Sequence, residues 1–397
     1  PARGKRAKDA HRYDSRGRYV EPVPISRDRV WRGRDGRQSA RRFNQAGSPY
    51  TIRRIRVTLF RGWGRLAARG LALKATKAIL GAAAALAVSG GASSAVEIVN
   101  TGDAWRIASA EWTERDEDDY SEFVQRIGRT NCTSLESCLA QDANPLHDDD
   151  DPTFEGDCAD MAYILRAYFA WKRGLPFSYQ NAMSPAPGAG PKDDLRYTQN
   201  GNVVAARRSA VGAKPVSAEA FIGRIGGEVS TAMFRTHPDD GGGRLFDDFY
   251  PVAINREAVR PGVLAYDIYG HVGIVYDILE DGRVLVIASH PDRSVTRTTY
   301  GANFLRSKPE LGAGLKGWRP IRLEGAVRGA DGFLRGGRIV AAANEEIRDF
   351  SLEQFFGNRP NPDGNWMNGD FVVNDRTVDY YDYIRRSLAA PGFAYDP

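Results

Sequence analysis

Cysteine is scarce in this chain: three residues in 397, at Cys132, Cys138 and Cys158. Three thiols are too few for a disulfide framework, and no Cys pair or His-x3-His spacing offers a structural metal site. Long apolar runs are missing as well. The run Ala78–Val88 has eleven residues, too short to span a bilayer as a permanent helix. Methionine is absent before Met161 and residue 1 is proline, so the numbering is expected to start away from the natural initiator. No P-loop or glycine-rich dinucleotide fingerprint stands between a strand and a helix, and no internal repeat is evident. No cofactor and no metal are therefore expected.

Acidic residues are missing from one end. Residues 1–80 hold 22 Lys+Arg against 5 Asp+Glu, a net of +17, and the remainder holds 33 against 45, a net of −12. The high isoelectric point belongs to the N-terminal segment alone. Residues 1–56 are rich in Arg, Gly and Pro with little apolar periodicity, and read as a disordered basic segment. A basic arm can bind nucleic acid, but here it reads as part of an export signal, and no nucleic-acid partner is expected. Residues 57–95 have the three parts of a secretory signal. A basic flank ends at Lys77, the apolar run follows, and Ser89–Ala95 supplies small residues. The mature protein is thus expected to be exported, periplasmic or extracellular, with no stable membrane span.

In an oxidising compartment Cys132 and Cys138, six positions apart, can pair locally, leaving Cys158 as the odd thiol. Its surroundings read as a helix of about four turns. Asp157 is an N-cap with Asp160 three residues on, Met161, Ile164, Leu165, Tyr168 and Phe169 form a buried stripe, and Gly174 with Pro176 ends it. A first-turn cysteine faces unpaired backbone N–H groups, which favour a thiolate and an acyl-transfer oxyanion.

Further along, Val263–Ile268, His271–Leu279 and Arg283–Ser289 alternate as strands, with a hairpin turn at Glu280–Gly282. The register depends on the turn. A two-residue Asp281-Gly282 loop sets Asp292 across from His271, a Glu280-Asp281 loop sets His290 there, and a three-residue loop sets Pro291 there. A thiol on a helix, a base on a strand and an orienting group on the next strand form a thiol-activating arrangement.

These segments together resemble the papain-like cysteine hydrolases, closest to the NlpC-type cell-wall peptidases. Asp157-Cys158-Ala159-Asp160 stands where that family has Asp-Cys-Ser-Gly. Pro261-Gly262 and His271-Val272-Gly273-Ile274 match its next motifs, and His290 stands at its third polar position. About 110 residues separate Cys158 from His271, roughly double the family's spacing. Gly156-Asp-Cys, with Gly174-Leu-Pro closing the helix, is also similar to the transglutaminase-like branch, whose third residue would be Asp292. The resemblance implies an α+β papain-like fold, with the nucleophile opening a helix packed on an antiparallel sheet. It implies Cys158 as nucleophile, His271 as base and His290 or Asp292 as the third group, acting on a peptide or peptidoglycan-type substrate. An acyltransferase or a non-catalytic cell-wall-binding module remain alternatives. The catalytic domain is expected over 96–325, with an insertion at 178–259 carrying a helix near Val216–Phe234. Residues 326–397 read as an extension packing on the core, and Asp148–Asp151 as a solvated acidic loop.

Overall fold

The structure is a computed structural model that describes residues 97–188, 194–239 and 245–395. The basic segment 1–56 and the signal expected over 57–95 lie outside the described residues. In chain order, β1 (Ala104–Trp105) leads into α1 (Glu114–Gly128), α2 (Leu135–Leu139) and α3 (Cys158–Arg173). A hairpin of β2 (Ser178–Pro185) and β3 (Asn202–Ser209) follows, then β4 (Val216–Ser217), which pairs with β1, and the short helices α4 (Ala218–Gly223) and α5 (Ile225–Glu228). Six further strands are β5 (Phe249–Pro251), β6 (Leu264–Asp267), β7 (His271–Ile278), β8 (Val284–Ser289), β9 (Val295–Thr299) and β10 (Gly314–Trp318). They form one antiparallel sheet in the order β5-β10-β6-β7-β8-β9. The class is α+β. Among the described residues no helix is long and apolar enough to cross a membrane.

The sheet is buried on both faces. Leu264, Tyr266, Val272, Ile274 and Ile287 join the core around α3. Ala265, Val275, Val286 and Leu315 join a second core with Tyr380, Tyr383, Ile384 and Leu388 of the C-terminal segment. Strand alternation produces this division, because successive side chains leave opposite faces.

Helix α3 departs from the single buried stripe that its sequence suggests. Every residue from Cys158 to Lys172 is buried, because the sheet, α1 and the β2–β3 region enclose it. Its charged side chains are matched inside. The Arg166 guanidinium donates to both carboxylate oxygens of Glu117, and Lys172 pairs with Asp151. Asp151 also accepts from the Tyr168 hydroxyl at 2.7 Å. The acidic run 148–151 is therefore not simply solvated: its last member anchors a fully buried lysine. Removing one partner of such a pair strands the other charge.

The described residues of the region 178–259 include regular elements. The region opens with eight-residue strands and ends by supplying edge strand β5 to the main sheet. The helix expected near Val216–Phe234 is broken into α4, α5 and a 3-10 turn at Thr231–Phe234. Gly223, Gly226 and Gly227 weaken helix continuity, and Ser217 and Ser230 cap new starts with their hydroxyls.

Candidate active site

The end of the sheet where β6 turns into β7 gathers the chemistry. Asp157 caps α3 through its Oδ1, which accepts from the N–H of Ala159 at 2.9 Å and of Asp160 at 3.3 Å. Asp160 Oδ2 accepts in return from the Asp157 N–H at 3.0 Å. This capping box leaves the Cys158 N–H itself unengaged by the cap, free to meet an oxyanion. Gly174, at φ +65°, ends the helix in the left-handed region.

Cys132 and Cys138 form a disulfide with Cα atoms 5.0 Å apart, and Cys158 is the free thiol. The disulfide loop is clamped to β9. The Arg297 guanidinium donates to Cys132 O at 3.0 Å and to its Sγ at 3.2 Å, and Val295 N–H donates to Thr133 O at 2.8 Å.

The Val272 and Ala159 N–H groups face the Cys158 sulfur and draw its pKa down, but burial outweighs them. Burial, with the Asp157 and Asp160 carboxylates adding to it, pushes the thiol up to about 11. Burial likewise holds the His271 imidazole below its ordinary value. The neighbouring His290 adds to that, and only Asp157 pulls the other way. Both groups are thus neutral at rest. The helix terminus alone favours a thiolate, but burial of Cys158 favours the protonated thiol.

The strand register brings His290 to His271. Near the turn Ile278 pairs with Val284 and Asp277 with Leu285, a register that would set Pro291 opposite His271. Tyr276 is an extra residue on β7, and beyond it Val275 pairs with Val286 and Ile274 with Ile287. That bulge moves the register by one, so that continued pairing sets His290 across from His271. The two imidazoles lie 5.4 Å apart at 12° between planes. Stacked rings do not share an in-plane hydrogen bond, and His290 Nε2 bonds instead with Thr296 Oγ1 at 2.7 Å. Phe304 closes over His271 at 6.0 Å.

Asp292 is not part of this group. Its carboxylate turns into its own loop, accepting from the Ser294 N–H at 3.0 Å and hydroxyl at 2.6 Å. The tripeptide His237-Pro238-Asp239 repeats the His290-Pro291-Asp292 sequence and closes similarly, with His237 Nδ1 accepting from Asp239 N–H at 3.0 Å. Among the described residues no group of three or more His, Cys, Asp or Glu side chains is placed to hold a metal ion.

No hydrogen bond links the Cys158 sulfur to the His271 ring among the described residues. His271 shares its β7 face with Gly273 and Val275, whereas α3 packs on the Val272 face. Asp157 exerts its field on both groups. Proton transfer would therefore require the imidazole to turn toward the helix end, and catalytic hydrogen bonds are often long before substrate arrives.

Sequence reasoning passed over several groups here. Ser289, fully buried at the end of β8, donates from its hydroxyl to Gly156 O at 2.7 Å, tying the strand next to His290 to the turn entering α3. Arg196 and Tyr197, from the region between the two motifs, also reach the site. The Asp157 carboxylate acts on Arg196, and the Tyr197 hydroxyl lies beside Gly270. A serine ending a strand and an exposed tyrosine in a turn carry no local signal of such roles.

No family model, curated protein or solved structure matches this chain.

Proposed function

We propose that this chain is an exported cysteine hydrolase of papain-like architecture that cleaves an amide or peptide bond through a thioester. The observation that carries the reading is the placement of its free thiol. Cys158 opens a capped helix whose first turn packs against Val272, the neighbour of His271 in the chain. In this reading the bound substrate brings the imidazole onto the sulfur. His271 takes the thiol proton as Cys158 attacks the carbonyl, and the Cys158 N–H receives the developing oxyanion. The proton passes to the departing amine, and water then releases the acid and restores the thiol. His290, stacked on His271 and held by Thr296, is a positioning residue, while Asp292 has no such contact. Cell-wall peptide is the substrate class that the resemblance to NlpC-type peptidases implies.

The test incubates the full chain with muropeptides and with unrelated peptides, and reads new amino termini by mass spectrometry. Products absent from Cys158→Ala and reduced at least about a hundredfold in His271→Ala support the mechanism. Product formation that survives Cys158→Ala overturns it. Incorporation of an added amine into the product would redirect the reading to a transglutaminase-like acyltransferase. Muropeptide binding without any turnover would make the chain a binding module.

A further inference from the structure

Four aromatic rings and seven charged side chains line a cavity of about 590 Å³ that includes neither Cys158 nor His271. Its volume falls within the roughly 300–1,000 Å³ of ligand sites. Gly262 and Val263, which lead into β6, and Gly317 and Trp318, which close β10, contribute to its wall together with the start of α1. This is the end of the sheet away from the thiol. Val263 stands four residues before Asp267, the partner of His271, roughly 13 Å along the strand. A side-chain carbon on Gly262 would come within 2.7 Å of the Tyr120 ring, and one on Gly317 within 2.6 Å of the Tyr250 ring. Bare backbone thus seats two of the four rings, and Trp112 and Trp318 are the others.

The charges lining the cavity do not balance. Five are carboxylates and two are guanidiniums, Arg260 and Arg348, a surplus of three negative charges. Arg260 donates to Asp118 at 3.0 Å, and Glu117 is held by Arg166. Glu114 and Glu257 are exposed and make no ion pair among the described residues. Asp349 accepts from the Tyr250 hydroxyl through Oδ1 at 3.1 Å. The Tyr120 hydroxyl and the Trp318 indole N–H have no hydrogen-bond partner among the described residues, and Tyr120 is only 2% exposed. Both groups are sheltered in the wall, so the contacts offered to an occupant are those of the accessible carboxylates. The wall itself shows how a guanidinium is received beside these rings. Arg166 lies 3.4 Å from the centre of the Trp112 ring and donates to both carboxylate oxygens of Glu117. The cavity presents the same two kinds of partner, ring and carboxylate, to a second cation.

We infer that this cavity binds a cationic side chain of a peptide, arginine before lysine, with the apolar stem against the rings and the charge among Glu114, Glu257 and Asp349. Arginine leads because a planar guanidinium stacks on aromatic rings and donates to two oxygens at once. The site is independent of the reading of Cys158 and His271 and stands or falls separately from it.

The experiment titrates the full chain with three blocked tripeptides and reads dissociation constants by ligand-detected NMR. Acetyl-Gly-Arg-Gly-amide carries the cation, acetyl-Gly-citrulline-Gly-amide is its neutral isostere, and acetyl-Gly-Glu-Gly-amide carries the opposite charge. The arginine peptide is expected to bind wild type at least about tenfold more tightly than either of the others. The double variant Glu114→Gln with Glu257→Gln is expected to weaken it about tenfold. Glu136→Gln, on α2 and outside the cavity, removes a surface charge and should leave the affinity unchanged. Equal binding of the citrulline peptide, preference for the glutamate peptide, an affinity unchanged in the double variant, or no binding at about 1 mM each overturn the site. Melting curves of the variants separate a lost contact from a lost fold.

Discussion

At the first turn of α3, burial and the helix terminus act on one sulfur in opposite directions. Backbone N–H groups at a helix start favour a thiolate, but here burial and two carboxylates hold the proton on. The alkylation rate of Cys158 by iodoacetamide should therefore climb with pH toward about 11. Asp157→Asn keeps a capping oxygen while removing the nearer charge, and should lower that midpoint. A wild-type midpoint at or below that of an ordinary thiol would contradict the closed, neutral site. Asp160 gives a second pH signature. Burial, with Asp157 adding to it, raises its carboxyl from 3.8 to about 7, and its Oδ1 has no partner. A carboxyl that holds its proton more tightly when folded stabilises the fold at low pH and loses that stabilisation as pH rises from about 4 to about 7. Asp160→Asn should thus melt above wild type by a few degrees at neutral pH, and the difference should shrink toward pH 4. A gap independent of pH would show that the carboxyl does not titrate in this window.

Among the elements, those with purely local causes were legible in the sequence. Asp157 with Asp160 announced the start of α3, Gly174 announced its end, and the six-residue Cys132–Cys138 separation matched a local disulfide. The β7–β8 hairpin was legible as a hairpin but not in register. A single bulged residue, Tyr276, decides whether Pro291 or His290 faces His271, and no local preference marks a bulge there. The stacking of His290 on His271 and the Tyr197 hydroxyl beside Gly270 depend on segments far apart in the chain, so neither could be read from spacing. The disulfide loop supports an element-scale prediction. It closes a short loop and braces edge strand β9 through Arg297, and closing so few residues contributes about 2 kcal/mol. Cys132→Ser with Cys138→Ser should lower the unfolding free energy measured by urea denaturation by about that amount. A far larger loss would mean that the loop holds β9 in place rather than merely bracing its edge.

Across the whole described region, the sheet behaves as a middle layer. One face receives α3 and the thiol, and the other is covered by residues of the segment 326–397, read from the sequence as an extension packing on the core. Tyr380, Tyr383, Ile384 and Leu388 are buried with Val275, Val286 and Leu315, and Gln354 donates to both Val252 O and Leu315 O at 2.7 and 2.9 Å. The sequence reading set this extension on the core, but which face of the sheet it covers is a long-range pairing that composition cannot specify. It makes the site dependent on this segment, because Phe304, which packs on His271, belongs to the same back-face core and its carbonyl accepts from the Tyr381 hydroxyl at 3.0 Å. Removing residues 326–397 would expose that core to water and leave the carbonyls of Val252 and Leu315 without the Gln354 amide. The shortened chain should bind a hydrophobic dye and lose its cooperative unfolding transition. A point change that keeps the layer but thins it, Leu388→Ala, should cost roughly 2–5 kcal/mol of stability. If the truncated chain instead melted as sharply and as high as the full one, the two sides of the sheet would be independent, and the tail would be an accessory to a fold complete without it.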